Sequence, residues 1–446
     1  MLVKHRMTSY PLRDPSEVMQ LERLGALHQF RLSFMRSLIR RLMHEQWEIE
    51  PSTFQLDDSG YGTVVYRVKA TNHVFSFVLF SNYLSDEDRN DRVIASQWDL
   101  TMALCIGDLD EQQVEQLRAN VPKQEAGRVD ANTIVLSRAN RSSRNFEYVV
   151  NELAAGRQPC SDILKNVGYL YRTTAVYGSG KFGMADWGKI RSEYPDFARP
   201  FAAEMFTCYM LRHFSVEQAE HLAKVRSPKT AVSKNTDVRR YIGIGNATGL
   251  GMAPYLIRHP QLISQWITVR ETAIARVLSE GQVTAEHLQT LDILANKARQ
   301  HYLETTVPDE SQTQRNHTLV DELAAMQHWL EQHTQITGWD KLTAHAKQHW
   351  HMETQELIHS LLMELYPDLV DELEDSMCAE ECPDTTPQMP LGDLKQLIEA
   401  RYAWALDVDF EEPDALYLFW YRSEEKMEPC VGERFSEEGT VREMPL

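Results

Sequence analysis

The sequence predicts an α+β fold in which an N-terminal long helix plus an antiparallel sheet is followed by a mostly α-helical central and C-terminal part. Three patterns indicate this class: helical spacing of apolar residues before residue 47, short β-rich runs between residues 61 and 137, and helical periodicity from about residue 146. A chain of 446 residues is too long for one ordinary core. We expect three regions, at residues 1–145, 146–305 and 306–446.

The long N-terminal helix is predicted from its start signals and its apolar stripe. Asp14 can cap the helix, Pro15 suits the first helical position, and Glu17 completes a capping box. Apolar residues then recur every three or four positions, at Val18, Leu21, Leu24, Leu27, Phe30, Phe34, Leu38 and Leu42. We interpret this segment as a core-packing helix with a solvated basic face.

The antiparallel sheet is predicted from a hairpin and its neighbours. The β-rich runs Thr63–Val68 and Val74–Leu79 flank the turn-prone pair Thr71-Asn72, which predicts a hairpin. Two more apolar stretches, at residues 92–107 and 132–137, predict further strands. Their short spacing favours an antiparallel sheet that the long helix covers on one face.

The remaining elements are mostly predicted helices. One ends near Gly156, two follow in residues 199–214 and 215–225 with Ser215 as the cap of the second, and another runs from Pro260 to Gly281. Residues 306–316 are polar and predict a linker. Beyond them we expect helices at 317–376 and 394–406 and a late strand at 415–422.

The distribution of charge indicates that the middle of the chain is the region most suited to bind anions. The formal net charge of −19 argues against non-specific binding to nucleic acid. Residues 130–260 nevertheless hold 18 Lys and Arg against 11 Asp and Glu. A basic region within an acidic protein predicts that any capacity to bind anions lies there.

The stretch YIGIGNATGLGMAPY (residues 241–255) contains a glycine pattern similar to a dinucleotide fingerprint. Two arginines precede it where a buried parallel strand is normally apolar, and Pro260 falls inside the expected helix, so we reject that interpretation. An anion cradle and a structural turn remain open. The candidate binding residues are Arg240, Gly243, Gly245, Asn246, Thr248 and Gly249.

A second glycine stretch, YGSGKFG (residues 177–183), fails as a phosphate-binding Walker loop and as a nucleophile elbow because the required residues are missing. It still combines a mobile lysine with glycines that allow close approach of a phosphate or carboxylate. Tyr177, Lys181 and Asp186 are candidate acid–base residues. The candidate binding residues here are Arg172, Thr173, Gly178 and Gly180.

A third basic cluster consists of Arg138, Arg141 and Arg144, where a strand passes into a helix. Guanidinium groups suit bidentate recognition of carboxylate or phosphate. If the segment were helical, Arg138 and Arg141, or Arg141 and Arg144, would share a face. A solvated face or internal ion pairs are the alternative for each cluster.

A histidine-rich segment at residues 345–365 suggests a metal site, since His345, His349, Glu353, Glu356 and His359 share a helical stripe. Apolar residues occupy the opposite face, so we expect the stripe to point to solvent and predict no metal ligands.

We therefore expect a cytoplasmic enzyme that acts on a small anionic metabolite, with a homodimer as a possible assembly. No leader-like apolar run, no 18-residue apolar stretch and no paired cysteine framework are evident. The sequence identifies no cofactor. The alternatives are a non-enzymatic scaffold whose basic middle docks on its acidic C-terminal region, and a metal-dependent enzyme that uses the His/Glu segment.

Overall fold

The computed structural model describes residues 11–18, 23, 26, 28, 30–32, 34–84, 98–120, 132–142, 144–165, 169–178, 193–199, 202–235, 242–246, 260–304 and 310–377. The chain divides into two compact units. Unit 1 comprises Met1–Ser33 and Met252–Glu428, and unit 2 comprises Phe34–Gly251 and Pro429–Leu446. The region boundaries predicted after residues 145 and 305 remain a prediction. The predicted helix at 394–406 and the late strand lie outside the described residues.

Among the described residues, unit 2 contains a seven-stranded sheet whose strands follow sequence order. The strands are β1 (Glu48–Leu56), β2 (Gly62–Lys69), β3 (Val74–Ser81), β4 (Leu100–Ile106), β5 (Thr133–Arg141), β6 (Tyr169–Gly178) and β7 (Gly243–Asn246). Strands β1 to β6 pair antiparallel, and β7 lies parallel to β6. The α+β class with an antiparallel sheet is confirmed. The sheet also extends further along the chain than predicted, because β6 and β7 belong to the region expected to be helical.

The helices surround this sheet in unit 2 and form most of unit 1. They are α1 (Pro15–Val18), α2 (Phe34–His44), α3 (Glu111–Asn120), α4 (Asn145–Ala154), α5 (Ser161–Lys165), α6 (Ala202–Arg226), α7 (Pro260–Glu280), α8 (Ala285–Glu304), α9 (Glu310–Gln332), α10 (Asp340–His349), α11 (Met352–Glu364) and α12 (Pro367–Asp371). Short 3-10 turns occur at Pro195–Phe197 and Glu374–Met377.

Both faces of the sheet are covered, which explains why β2 and β3 are apolar almost throughout. On one face, Val65, Val78, Ala103 and Leu136 pack in a row against Leu117 of α3. The other face packs against α4 and α6. There, Tyr171 donates a hydrogen bond to Gln218 at 2.6 Å.

The regular elements described in unit 1 are all helical. Helices α8 and α9 pack together, and α7 packs on α11 and α12. Trp339 is fully buried, and its indole N–H donates to the Tyr366 hydroxyl at 2.7 Å. Tyr366 in turn donates to the carbonyl of Gln282 at 2.9 Å, so the polar groups of these two aromatic side chains are both hydrogen-bonded.

The predicted long N-terminal helix is wrong. Helix α1 has four residues, and α2 begins at Phe34, the first residue of unit 2. Between them His28, Phe30 and Leu32 are buried, with residue 31 between them only half-buried. Arg23 and Ala26 are helical, but His28 and Phe30 lie in no helix and residues 31–32 form a turn, so the helix predicted from the sequence is interrupted before α2.

Two further expectations fail in detail. The two helices predicted to meet at Ser215 form the single helix α6, in which the Ser215 hydroxyl donates to the carbonyl of Arg212 at 2.7 Å. This local bond satisfies a buried hydroxyl inside a helix, so Ser215 is not a cap. The predicted linker at 306–316 also contains the first turns of α9, which begins at Glu310.

The prediction that the His/Glu stripe faces solvent is wrong for its second half. The helix breaks at Trp350, whose backbone is extended, so that α10 and α11 are separate. Glu353, Glu356 and His359 are all buried. Helix α11 is buried on nearly every side, and its polar residues lie inside unit 1.

Candidate functional site

The structure separates the arginines of β5. Successive side chains of a strand point to opposite faces, so Arg138 lies on the face covered by α3 and Arg141 on the face covered by α4. The Arg138 guanidinium lies 3.8 Å from the centre of the Trp98 ring. Arg141 lies over Phe146, at 5.0 Å from the ring centre.

The charge of Arg141 has a buried partner. Its Nε lies 3.5 Å from the Asp99 carboxylate, and its backbone N–H donates to the same carboxylate at 2.8 Å. Asp99 is 1% exposed. Arg144 is exposed at the start of α4. The helical arrangement that would let these three arginines share a face is therefore not present, because Arg138 and Arg141 lie in a strand.

Strand β6 contains four of the candidate site residues, in two pairs that lie at different positions along the strand. Arg172 and Thr173 are paired with Asn140 and Ala139 near the start of the strand. Tyr177 and Gly178 are paired with residues 136 and 135 at its end. Arg172 and Tyr177 are five residues apart along the strand, which separates their backbones by roughly 16 Å.

Strand β7 contains the first two glycines of the glycine-rich stretch at residues 241–255. Gly243, Gly245 and Asn246 form the strand, and Gly245 is paired with Arg172 of β6. The predicted glycine turn is therefore β-structure at this point. Because β6 and β7 are parallel, the chain leaves both strands in the same direction. Six predicted site residues lie outside the described residues: Gly180, Lys181, Asp186, Arg240, Thr248 and Gly249.

The end of the sheet at which β6 terminates carries a histidine–aspartate pair that the sequence did not indicate. The pairings place the start of β3, the end of β4, the start of β5 and the end of β6 together at this end. His73 immediately precedes β3. We call this part of the molecule the His73 end of the sheet.

His73 is held by a fully buried carboxylate. Its Nδ1 lies 2.6 Å from Oδ2 of Asp196, which is 0% exposed. The other oxygen of Asp196 accepts bonds from the backbone N–H and the side-chain amide of Asn72, both at 3.0 Å. Arg41 donates to the backbone carbonyl of Asp196 at 2.7 Å. Each group that fixes Asp196 is thus a hydrogen-bond donor.

This arrangement sets the tautomer of the imidazole. A carboxylate only accepts hydrogen bonds, so Nδ1 of His73 carries a proton, and in the neutral ring the lone pair is on Nε2. The side chain is 30% exposed, and the rings of Phe75 and Tyr194 each lie 5.9 Å from it. An oriented, partly exposed imidazole of this kind can accept a proton or bind a metal.

Local sequence explains why both residues are where they are. Asn72 and His73 form the turn of the predicted hairpin, between β2 and β3. Pro195 begins the 3-10 turn that contains Asp196, as expected for proline at a first helical position. The two side chains are 123 residues apart in the chain. No local pattern connects them.

Unit 1 contains a cleft of about 220 Å³ beside a network of buried charges. Arg13 forms the network's centre: its Nε donates to Glu271 at 2.8 Å and its Nη1 to Glu356 at 2.6 Å. At the rim, Lys347 pairs with Glu17 at 2.9 Å. The charges of the cleft are thus paired with each other, which holds the segment from Pro11 to Val18 in place and leaves little unbalanced charge for a ligand.

His359 also lines this cleft, with its Nδ1 3.8 Å from Glu356. Burial lowers the pKa of the His359 imidazole, and the nearby guanidiniums of Arg13 and Arg270 lower it further. The ring is therefore neutral near pH 7. Within the described part of the chain, no group of three or more His, Cys, Asp and Glu side chains is arranged to hold a metal ion.

The described helices include none that is both long and apolar enough to cross a membrane. Comparison of the chain with protein-family models, with curated proteins and with solved structures finds no match.

Proposed function

We propose that unit 2 is an enzyme that acts on a small anionic metabolite carrying a carboxylate or phosphate, and that its chemistry takes place at the His73 end of the sheet. The observation that supports this proposal is the contact between His73 and the buried Asp196. A proton-transfer residue that is oriented by a second, fixed group is the usual arrangement of a general base.

The glycine stretch after β6 supports the same location. It leaves the sheet at Gly178, and the described chain resumes at Glu193, three residues before Asp196. Gly178 lies at the same end of the sheet as His73, and Glu193 lies three residues before its partner Asp196. Lys181 lies within it, so in this proposal Lys181 supplies the cation for the anionic group, and the neighbouring glycines allow close approach.

The arginines play a different part in this proposal. Arg172 lies roughly 16 Å from Tyr177 along β6, and Arg141 is paired with Asp99. We assign these residues to the internal packing of the sheet. Tyr177, near the end of β6, stays a candidate acid–base residue in this proposal.

The proposal is tested first by binding. Wild-type protein is screened by thermal unfolding with inorganic phosphate, pyrophosphate and succinate as probes. We expect at least one probe to raise the melting temperature, and Lys181→Ala to abolish that rise because the cation is removed. Arg144→Ala is the matched control, since it removes an exposed cation elsewhere in unit 2 and should keep the full shift. An unchanged shift in Lys181→Ala would refute the role of Lys181.

The acid–base role is tested by turnover of compounds related to the binding probe. His73→Gln and Asp196→Asn should retain binding and lose turnover by about 100-fold or more, since general-base catalysis contributes about that factor. His221→Gln, at a half-buried histidine of α6, is the control and should turn over normally. Full turnover in His73→Gln would remove His73 from the mechanism.

A further inference from the structure

Unit 1 presents a surface cluster of histidine and tryptophan rings on α9 and α10. The rings of His345 and His349 have their centres 4.3 Å apart, and Trp329 of α9 stacks on His345 at 5.4 Å. Trp350 meets His345 edge-on at 5.1 Å. His349 is exposed and His345 is half-buried. The cluster is thus open to solvent on one side.

Residues four apart on a helix are neighbours on one face. Both rings therefore stand side by side on α10, and their nitrogens are within reach of a common ion after small side-chain rotations. The same i, i+4 spacing supplies two metal ligands in known helical histidine sites. Imidazole suits Cu²⁺, Ni²⁺ and Zn²⁺, whereas Mg²⁺ and Ca²⁺ prefer oxygen.

Hydrogen bonding distinguishes this pair from nearby histidines. The structure gives neither His345 nor His349 a hydrogen-bond partner among the described residues. By contrast, His333 places its Nδ1 2.8 Å from the carbonyl of Trp329. His351 likewise places its Nδ1 2.5 Å from Glu322. Both imidazoles of the pair thus have ring nitrogens that no described protein group engages in a hydrogen bond.

We propose that His345 and His349 form a two-histidine site for a divalent transition-metal ion of the Cu²⁺, Ni²⁺ or Zn²⁺ class. No third His, Cys, Asp or Glu ligand is arranged there among the described residues, so water or an external ligand completes the coordination. An ion with open positions can bind an exogenous ligand, which a closed structural site cannot. The site lies in unit 1 and is independent of the function proposed for unit 2.

The test is calorimetric titration of tag-free, chelator-treated protein with Ni²⁺ and, separately, with Mg²⁺. We expect saturable binding of Ni²⁺ and none of Mg²⁺. His345→Gln and His349→Gln should each weaken Ni²⁺ binding at least about tenfold, because two linked ligands bind far better than one. His317→Gln, a lone exposed histidine on α9, is the matched control and should bind as the wild type does.

A second measurement distinguishes metal ions bound at this pair from metal ions bound elsewhere on the protein. Cu²⁺ bound at this pair should quench tryptophan fluorescence, because Trp329 and Trp350 lie against His345. The quenching should be lost in the His345→Gln/His349→Gln double variant at the same Cu²⁺ concentration. Equal Ni²⁺ affinity in the double variant and the wild type would overturn the proposal, and so would the absence of Ni²⁺ binding to the wild type.

Discussion

Glu356 shows how a single residue can be misjudged from sequence and identified from structure. Three guanidiniums contact its carboxylate: Arg23 at 2.5 Å, Arg13 at 2.6 Å and Arg270 at 2.8 Å. Its position on a polar helical stripe predicted exposure, yet it is 0% exposed. The sequence could not reveal this, because the partners come from α7 and from the N-terminal segment, more than 80 residues away.

Burial alone would raise the pKa of the Glu356 carboxyl, but the charges of Arg13 and Arg270 outweigh burial and hold the pKa well below its ordinary value of 4.5. A carboxyl whose pKa is lowered by folding stabilises the protein above its unfolded pKa. That stabilisation is lost as the pH falls from about 4.5 through the lower folded value. Acid should therefore weaken unit 1 through this residue.

Glu356→Gln should lower the free energy of unfolding by about 3 kcal/mol at pH 7, because it leaves buried guanidiniums without their counter-charge while changing little volume. The deficit relative to wild type should shrink below pH 4.5, because the unfolded wild-type chain then takes up a proton at this carboxyl while the folded protein keeps it ionised. Urea denaturation followed by circular dichroism between pH 7 and pH 3.5 measures both effects. Glu331→Gln, which is exposed, should change stability by less than about 0.5 kcal/mol. A deficit that stays constant across this range would contradict the assignment.

At the scale of elements, strong apolar patterns predicted structure well and weak ones did not. The hairpin of β2 and β3 was predicted nearly to its limits, because both strands are buried and apolar. Helix α7 was predicted from Pro260 and Gly281. Strand β1 was missed because it is mostly exposed, contains Pro51 and lies at the edge of the sheet. Strands β6 and β7 were not predicted because the arginine of β6 and the glycines of β7 are not typical of buried strands.

The candidate site was predictable only in part for the same reason. The glycine stretch after Gly178 could be proposed from the sequence because its composition is a local pattern, and its role stays a prediction. His73 and Asp196 were missed because each is ordinary in its own surroundings, and only the folded sheet brings them together. A single sequence contains no pattern that links two residues so far apart in the chain.

Gly62, the first residue of β2, tests how the hairpin with β1 is formed. Its φ of +148° is rarely adopted by residues with a side chain, and a Cβ there would lie 1.9 Å from the carbonyl oxygen of Gln55. Gly62→Ala should therefore cost about 3 kcal/mol or more in the free energy of unfolding. Gly107→Ala is the matched control, because Gly107 also has positive φ but its Cβ would meet nothing within 4 Å. It should cost only about 1–2 kcal/mol. Equal losses in thermal or urea unfolding would show that the contact with Gln55 is relieved by movement of β1.

At the scale of the whole molecule, each unit is assembled from separate parts of the chain. Residues 1–33 belong with residues 252–428, so unit 1 is discontinuous in sequence. The boundary between Ser33 and Phe34 falls inside one continuous apolar pattern, which is why a single long helix was predicted there. The amino-acid composition of this segment does not reveal the boundary between the two units. Arg13 explains the assignment of the N-terminal segment, since it bonds to Glu271 and Glu356.

The division into two units predicts which part of the protein each substitution destabilises. Glu356→Gln removes a charge from the core of unit 1, and Gly62→Ala strains the sheet of unit 2. Proteins open in contiguous cooperative parts, so each variant should raise amide hydrogen exchange mainly within its own unit. We expect Glu356→Gln to accelerate exchange in α7 and α11, and Gly62→Ala to accelerate it in β1 to β3, as measured by mass spectrometry of peptides. Uniform acceleration by either variant across β2, β3, α7 and α11 would instead mean that the two cores open together as one cooperative structure.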